Sequence, residues 1–267
     1  MDNRAIGVFD SGVGGLTVLR EIIKEVPRES TIYFGDTERF PYGPRNLEQV
    51  KDFVFKATEF LKEKNVKIIV IACNTGSVAA LKELKERSEI PAIGVIEPGA
   101  RTAVNNTKNK RVGVIATEGT IRSRVYEKEI KKLDPDIKTF SVAAPMLIEY
   151  VEKGILEGKE LSNAIKNYLD PLLSQNIDVL VLGCTHFPLI KKQILAVSGN
   201  NIKVISSAVE TAKDVKKMLI KNGLPANKDN KLSRVFYETA LSSSFFKTGQ
   251  MFLGEEISEV VRIELDI

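Results

Sequence analysis

The chain has few of the side chains that usually announce redox or metal chemistry: one histidine and two cysteines among 267 residues. A zinc site would have to combine Cys73, Cys184 and His186 with a carboxylate, and the close Cys-x-x-Cys pairs of structural zinc sites are missing, so no metal is expected. Two cysteines do not make a disulfide scaffold. No stretch approaches the roughly 18 consecutive apolar residues of a membrane span. The N-terminus, Met1-Asp2-Asn3-Arg4, enters the apolar run from Ala5 to Phe9 with neither a signal-peptide core nor a cleavage site, so a cytoplasmic protein is expected. An excess of either charge is also missing. Thirty-nine basic and 35 acidic residues leave a net charge of +4, too even to imply a nucleic-acid partner. Lysines such as Lys82, Lys85, Lys131, Lys132, Lys216 and Lys217 interleave with acids and read as solvated helix faces. There is no Gly-Lys-Ser/Thr element, so no phosphate loop.

What is present is a rhythm. A short β-rich run, a small-residue turn and an amphipathic helix recur, which predicts parallel sheets flanked by helices. Ile6 to Phe9, Thr31 to Gly35, Lys67 to Ala72 and Pro91 to Val95 read as strands. Helices are expected over Leu16 to about Lys24, Leu47 to Lys64 and Ser77 to Arg87. The pattern restarts at Arg111 to Ala116, with a helix over Arg122 to Lys132, a strand over Lys138 to Val142, a helix over Glu160 to Ser174 and a buried strand over Val179 to Leu182. Lys203 to Ile205 and a helix over Glu210 to Lys221 follow. The tail reads as strands at Arg234 to Glu238 and Val260 to Leu265 around a helix near Ser244 to Leu253.

The restart carries an internal echo. Ile69-Val70-Ile71-Ala72-Cys73-Asn74-Thr75 is matched by Leu180-Val181-Leu182-Gly183-Cys184-Thr185-His186, and Gly7 to Gly12 more loosely by Gly113 to Glu118. The expected fold class is α/β, with two similar open, mostly parallel sheet domains and the active site in the cleft between them. The first domain is placed at 1–97 plus a returning tail at 207–267, and the second at 98–206, with the break near Glu97-Pro98.

Each cysteine thus ends a sheet strand, where ligands of open α/β sheets bind. A single buried cysteine is an ordinary small hydrophobe; two in matched contexts point to chemistry. The N-terminus of the following helix is expected to favour the thiolate and lower its pKa. The free N–H groups of Asn74-Thr75 and Thr185-His186 can receive a carboxylate. Two thiols on opposite sides of a small anion suit inversion at a carbon bearing hydrogen, one base removing a proton and an acid on the other face delivering another. His186, the lone histidine, is a candidate helper for Cys184, and Asp10 for Cys73.

The turn Asp10-Ser11-Gly12-Val13-Gly14-Gly15 also invites a dinucleotide reading, with Asp36 near the ribose-binding position. Against it, Thr17 stands at the third glycine position and an acid precedes the turn. Asp36 to Gly43 reads by itself as a surface turn, and Glu152 as an exposed helix end.

At these motifs the chain closely resembles the glutamate racemases of the aspartate/glutamate racemase superfamily. The resemblance is carried by Gly7 to Gly15, Phe34-Gly35-Asp36, Pro41-Tyr42-Gly43, Ala72 to Thr75, Gly94 to Gly99, Gly113 to Thr117 and Gly183 to His186. It implies that Cys73 and Cys184 are the two proton-transfer bases, with Asp10 and His186 beside them. It implies that Asp10, Ser11, Tyr42, Gly43, Asn74, Thr75, Thr185 and His186 hold the substrate, L- or D-glutamate. It gives Asp36, Glu152 and Thr117 supporting positions. No cofactor, neither pyridoxal phosphate nor a metal, is implied; a homodimer supplying D-glutamate for peptidoglycan biosynthesis is. Gly76, Phe187 and Ser206 depart from the family's usual alanine, tyrosine and aspartate. Two alternatives stand beside this reading: an aspartate racemase of the same superfamily, and a non-catalytic two-domain module binding an acidic metabolite.

Overall fold

The computed structural model describes residues 1–240 and 243–265. In chain order the elements are β1 (Ile6–Asp10), α1 (Leu16–Glu25), β2 (Thr31–Gly35), α2 (Leu47–Glu63), β3 (Ile68–Ile71), α3 (Asn74–Arg87), β4 (Ala92–Gly94) and α4 (Ile96–Asn106). Next come β5 (Arg111–Ala116), α5 (Glu118–Ser123), α6 (Val125–Leu133), β6 (Lys138–Ala143), α7 (Pro145–Glu152), α8 (Lys159–Leu173) and β7 (Val179–Gly183). A 3-10 turn over Phe187–Ile190 leads into α9 (Lys191–Ser198), then β8 (Lys203–Ser206), α10 (Ala208–Lys221), β9 (Arg234–Glu238), α11 (Ser243–Leu253) and β10 (Val261–Arg262).

The strands form two sheets in which every pairing is parallel. The first runs β10-β9-β2-β1-β3-β4 and the second β6-β5-β7-β8. The order β2-β1-β3-β4 is repeated as β6-β5-β7-β8, so β1 corresponds to β5 and β3 to β7. These four central strands are covered on both faces, which is why they read as unbroken apolar runs. Where the chain turns from β1 to β2 on one side and later to β3 on the other, the strand ends part and leave a crevice. Asp10 and Cys73 stand at that point of the first sheet, Thr117 and Cys184 at its counterpart in the second.

One apolar core joins the two halves. Ile6, Val8 and Val70 of the first sheet and Val112, Val114 and Val181 of the second share a cluster with Ala100 and Ala103 of α4 and with Ala212 and Val215 of α10. Glu97 and Pro98 lie in the first turn of α4, and Arg101 of that helix pairs with Asp214 of α10 at 2.5 Å. The segment after 207 packs α10 on α1 and adds β9 beside β2.

Several local features differ from the sequence pattern, which also contains no expectation of α4 or α9. The helix expected over Arg122 to Lys132 is two helices, divided at Arg124, which takes a left-handed conformation (φ 55°). A left-handed residue ends the i to i−4 ladder, and only glycine or asparagine would have announced it. The tail strand is confined to Val261–Arg262. Helix α7, started by Pro145 at its first turn, has too short an apolar pattern to stand out.

At the far end of the first sheet Lys67 is fully buried. Its ammonium pairs with Glu29 at 2.5 Å and donates to the carbonyls of Asp2 (2.5 Å) and Leu224 (2.9 Å), tying the N-terminus, the start of β3 and the chain after α10 together.

Candidate active site

The first half contributes the turn after β1 and the start of α3. Asp10 is wholly buried and accepts the Gly12 N–H at Oδ2 (3.0 Å), while Thr185 of the other half donates to its Oδ1 (3.3 Å). Tyr33 donates its hydroxyl to the Gly12 carbonyl (2.7 Å) and fixes the turn from below. Cys73 caps α3: its sulfur accepts the Gly76 N–H at 3.3 Å, and its thiol faces Ser11 Oγ at 3.6 Å. Ser11, not Asp10, is therefore the direct hydrogen-bond partner of Cys73. Asp10 acts on the thiol through its charge.

The helix N-terminus does pull the Cys73 thiol toward ionisation through the Gly76 N–H, as the sequence pattern anticipates, but a larger effect opposes it. Burial, helped by the neighbouring Asp10 charge, pushes this thiol up to about 12. The expectation of a lowered pKa is corrected at this position, and Cys73 rests as a thiol. Burial likewise raises the Asp10 carboxyl to about 6.

The second half places Cys184 directly after β7. Its sulfur is 3.6 Å from Nδ1 of His186, whose Nε2 is 2.5 Å from Oε1 of Glu152 at the end of α7. Burial alone would depress the imidazole, but the contacts with Cys184 and Glu152 outweigh it and hold His186 well above the ordinary histidine range. Glu152 thus reaches the site through His186, from a helix end that reads as solvent-exposed. The ring of Phe40 leans against His186, with centroids 5.5 Å apart.

The two halves touch through small residues. A Cβ on Gly14 would stand 2.6 Å from His186 Nδ1 and would also strike Thr185 Oγ1, so only glycine lets the first turn meet the second strand end. Thr17 bridges the same seam to the Thr185 carbonyl (3.2 Å), and Thr75 shares a hydrogen bond with Thr117 (2.8 Å). The resulting cleft is lined by Ser11, Tyr42, Gly43, Asn74, Thr75, Thr117, Thr185, His186 and both thiols, with Phe40, Pro41 and Ile148 as its apolar side. Asp36 lies behind this lining. It accepts from Tyr42 (2.5 Å), Arg39 (2.9 Å) and Thr239 (3.0 Å), and so holds Tyr42 in place. With all three partners in position, Asp36 offers nothing to a ribose, and Gly14 faces protein where a pyrophosphate would lie; the dinucleotide reading fails on both counts.

Ile148 and Tyr33 carry no sequence signal beyond apolar spacing, and Phe40 none beyond its turn. They are found only through contacts between distant elements. A Cβ at Gly76 would meet Cys73 and Val54 at 3.3 Å, Phe187 is fully buried in the second core, and Ser206 accepts the Ala208 N–H; none of the three departures from the family pattern lines the cleft. Among the described residues no three histidine, cysteine, aspartate or glutamate side chains gather as a metal site, and no helix is long and apolar enough to cross a membrane.

Chemically, the cleft offers one thiol from each half, Cys73 beside the Ser11 hydroxyl and Cys184 beside the His186 imidazole. Between them lie the hydroxyl groups of Ser11, Thr75, Thr117 and Thr185 and the amide of Asn74. Residues 6–215 match the Asp/Glu/Hydantoin racemase family. The glutamate racemase of Geobacter metallireducens is 42% identical over 263 residues, covering 98% of this chain and 97% of its own. Among solved structures, a glutamate racemase of Bacillus anthracis superposes with a TM-score of 0.94 at 44% identity, covering 99% of both chains. That of Francisella tularensis, solved with D-glutamate, gives 0.93 at 36% identity, covering 100% of this chain and 99% of its own.

Proposed function

Because this chain belongs to the Asp/Glu/Hydantoin racemase family, we infer that it interconverts L- and D-glutamate, with Cys73 and Cys184 exchanging protons with the two faces of the α-carbon. The observation that carries this reading is the arrival of two buried thiols, from corresponding strand ends of two equivalent sheets, in one cleft.

The reaction balances as a 1,1-proton shift. One thiolate takes the α-hydrogen as a proton, the C–H electron pair stays on the α-carbon, and the opposite thiol delivers its proton to the other face. The enzyme then holds the opposite protonation pattern and returns to the first by exchange with water. Ser11 and Asp10 serve Cys73 in this reset, His186 and Glu152 serve Cys184. Cys73 supplies a proton in the resting state, since burial keeps it a thiol. The carboxylates of glutamate are held by Ser11, Asn74, Thr75 and Thr185, with Tyr42, Gly43 and Thr117 shaping the cleft. No step draws on a cofactor.

The protein acts in the cytoplasm as a homodimer and supplies D-glutamate for peptidoglycan; these assignments rest on the family resemblance. Incubation with L-glutamate in deuterium oxide tests the whole reading. Chelator-treated protein without added cofactor is expected to yield D-glutamate deuterated at the α-carbon. Formation of D-aspartate from L-aspartate, with glutamate untouched, would reassign the substrate. Tight binding of glutamate without exchange would favour a binding module.

A further inference from the structure

Asn74 opens α3 with its side chain at the cleft, and its carbonyl oxygen is already occupied. The hydroxyl of Tyr126 donates to Asn74 Oδ1 across 2.8 Å, in a buried contact between α6 of one half and α3 of the other. Tyr126 is 2% exposed. Its ring fills a slot that two glycines keep open. A Cβ on Gly183 would lie 3.0 Å from Tyr126 Cε2, and one on Gly99 would lie 3.2 Å from Cε1 and 3.3 Å from the hydroxyl.

A phenol has one proton to give, and an amide has one oxygen and one NH2 pointing opposite ways. Burial, together with the nearby Cys184, holds the Tyr126 hydroxyl above its ordinary pKa, so it remains a donor. Reversing the amide would replace this bond by one from the NH2 to the hydroxyl oxygen and would leave the buried phenol proton without an acceptor, because among the described residues Asn74 is the hydroxyl's one hydrogen-bond partner. The NH2 group must then face the cleft, where Ser11, Thr75 and Thr185 also stand. A donor at that place attracts a carboxylate; an oxygen there would repel it.

We propose that Tyr126 is a positioning residue, which sets the orientation of the Asn74 amide so that its NH2 meets a carboxylate of bound glutamate, and which ties the grip on substrate to the register of the two halves. The proposal rests on Asn74 holding substrate, as read above.

Tyr126→Phe removes one hydroxyl and leaves the ring in its slot. KM for both enantiomers is expected to rise about tenfold with kcat within about threefold, the signature of a lost binding contact. In an Asn74→Ala background the same change is expected to add less than about twofold, because the hydroxyl acts through the amide. An unchanged KM in Tyr126→Phe beside a raised KM in Asn74→Ala overturns the positioning role and leaves Asn74 as a substrate ligand. An unchanged KM in Asn74→Ala overturns both. A Tyr126→Phe effect undiminished by Asn74→Ala also overturns the proposal, since it marks a general loosening of the slot. Asn74→Asp addresses the same point without altering the slot. It turns an oxygen toward the cleft, and KM is expected to rise at least about a hundredfold; a parental KM would show that an acceptor faces the substrate and would overturn the assignment.

Discussion

His186 stands between a thiol and a carboxylate, with Nδ1 3.6 Å from Cys184 Sγ and Nε2 2.5 Å from Glu152 Oε1. The ring can therefore pass a proton between Cys184 and the cleft mouth, where Glu152 is partly exposed.

Removing the Glu152 charge should lower the His186 pKa, since that contact raises it. Glu152→Gln is expected to move the alkaline limb of the kcat/KM profile to lower pH and to reduce kcat about tenfold to a hundredfold. A profile superimposable on that of the parent would show that His186 works without Glu152.

Either thiol should be indispensable. Cys73→Ala and Cys184→Ala are each expected to lower racemisation by at least about a thousandfold, within the range of a lost general acid or base. Chiral chromatography of long incubations measures this, and a single variant keeping a tenth of parental turnover would end the two-thiol mechanism.

Asp10 titrates at about 6 and is a carboxylate above that pH. If the carboxylate is the working form, kcat/KM should fall as the pH drops through about 6, and Asp10→Asn should abolish that limb. Its charge also raises the Cys73 thiol, so Asp10→Asn should lower the Cys73 pKa. In a Cys184→Ala background, alkylation of Cys73 at fixed pH is then expected to speed up; a slower rate would mean that the charge does not reach the sulfur.

Gly14 is where the halves meet most closely. Gly14→Ala would drive a methyl group into His186 and Thr185, at a cost of about 1–3 kcal/mol in stability. In the proposed function this seam carries substrate, so KM should rise more than tenfold, by the strain of one overpacked contact. Thermal melting and steady-state kinetics together check this.

The Lys67–Glu29 pair lies far from the cleft and should behave differently. Lys67→Met leaves Glu29 buried without its partner and is expected to cost about 3–5 kcal/mol by denaturant unfolding. Activity per folded molecule should stay at the parental level.

Much of this site is legible in the sequence. The strand-end echo around Cys73 and Cys184 marks both thiols, because a parallel strand followed by a helix has a local pattern. Asp10, Ser11, Asn74, Thr75, Thr185 and His186 sit within a few residues of those ends and come with them. Tyr126 and Tyr33 do not, since a hydroxyl that reaches a distant carbonyl leaves no trace in spacing. Glu152 has a place in the family pattern, but its contact with His186 depends on where α7 packs. The pKa of Cys73 departs from the expectation because a helix N-terminus is visible in sequence and the depth of burial is not.

The repetition of β2-β1-β3-β4 as β6-β5-β7-β8 suits a reaction whose two ends are mirror images. Enantiomers have equal free energy in water, so the two directions must share one value of kcat/KM, whatever the residues around each thiol. The proton managers differ on the two sides, serine and aspartate against histidine and glutamate. The scaffold's approximate twofold likeness can therefore be broken freely in kcat and in KM separately, while thermodynamics restores the balance in their ratio. A doubled fold thus gives selection two independently adjustable half-sites under a single fixed constraint.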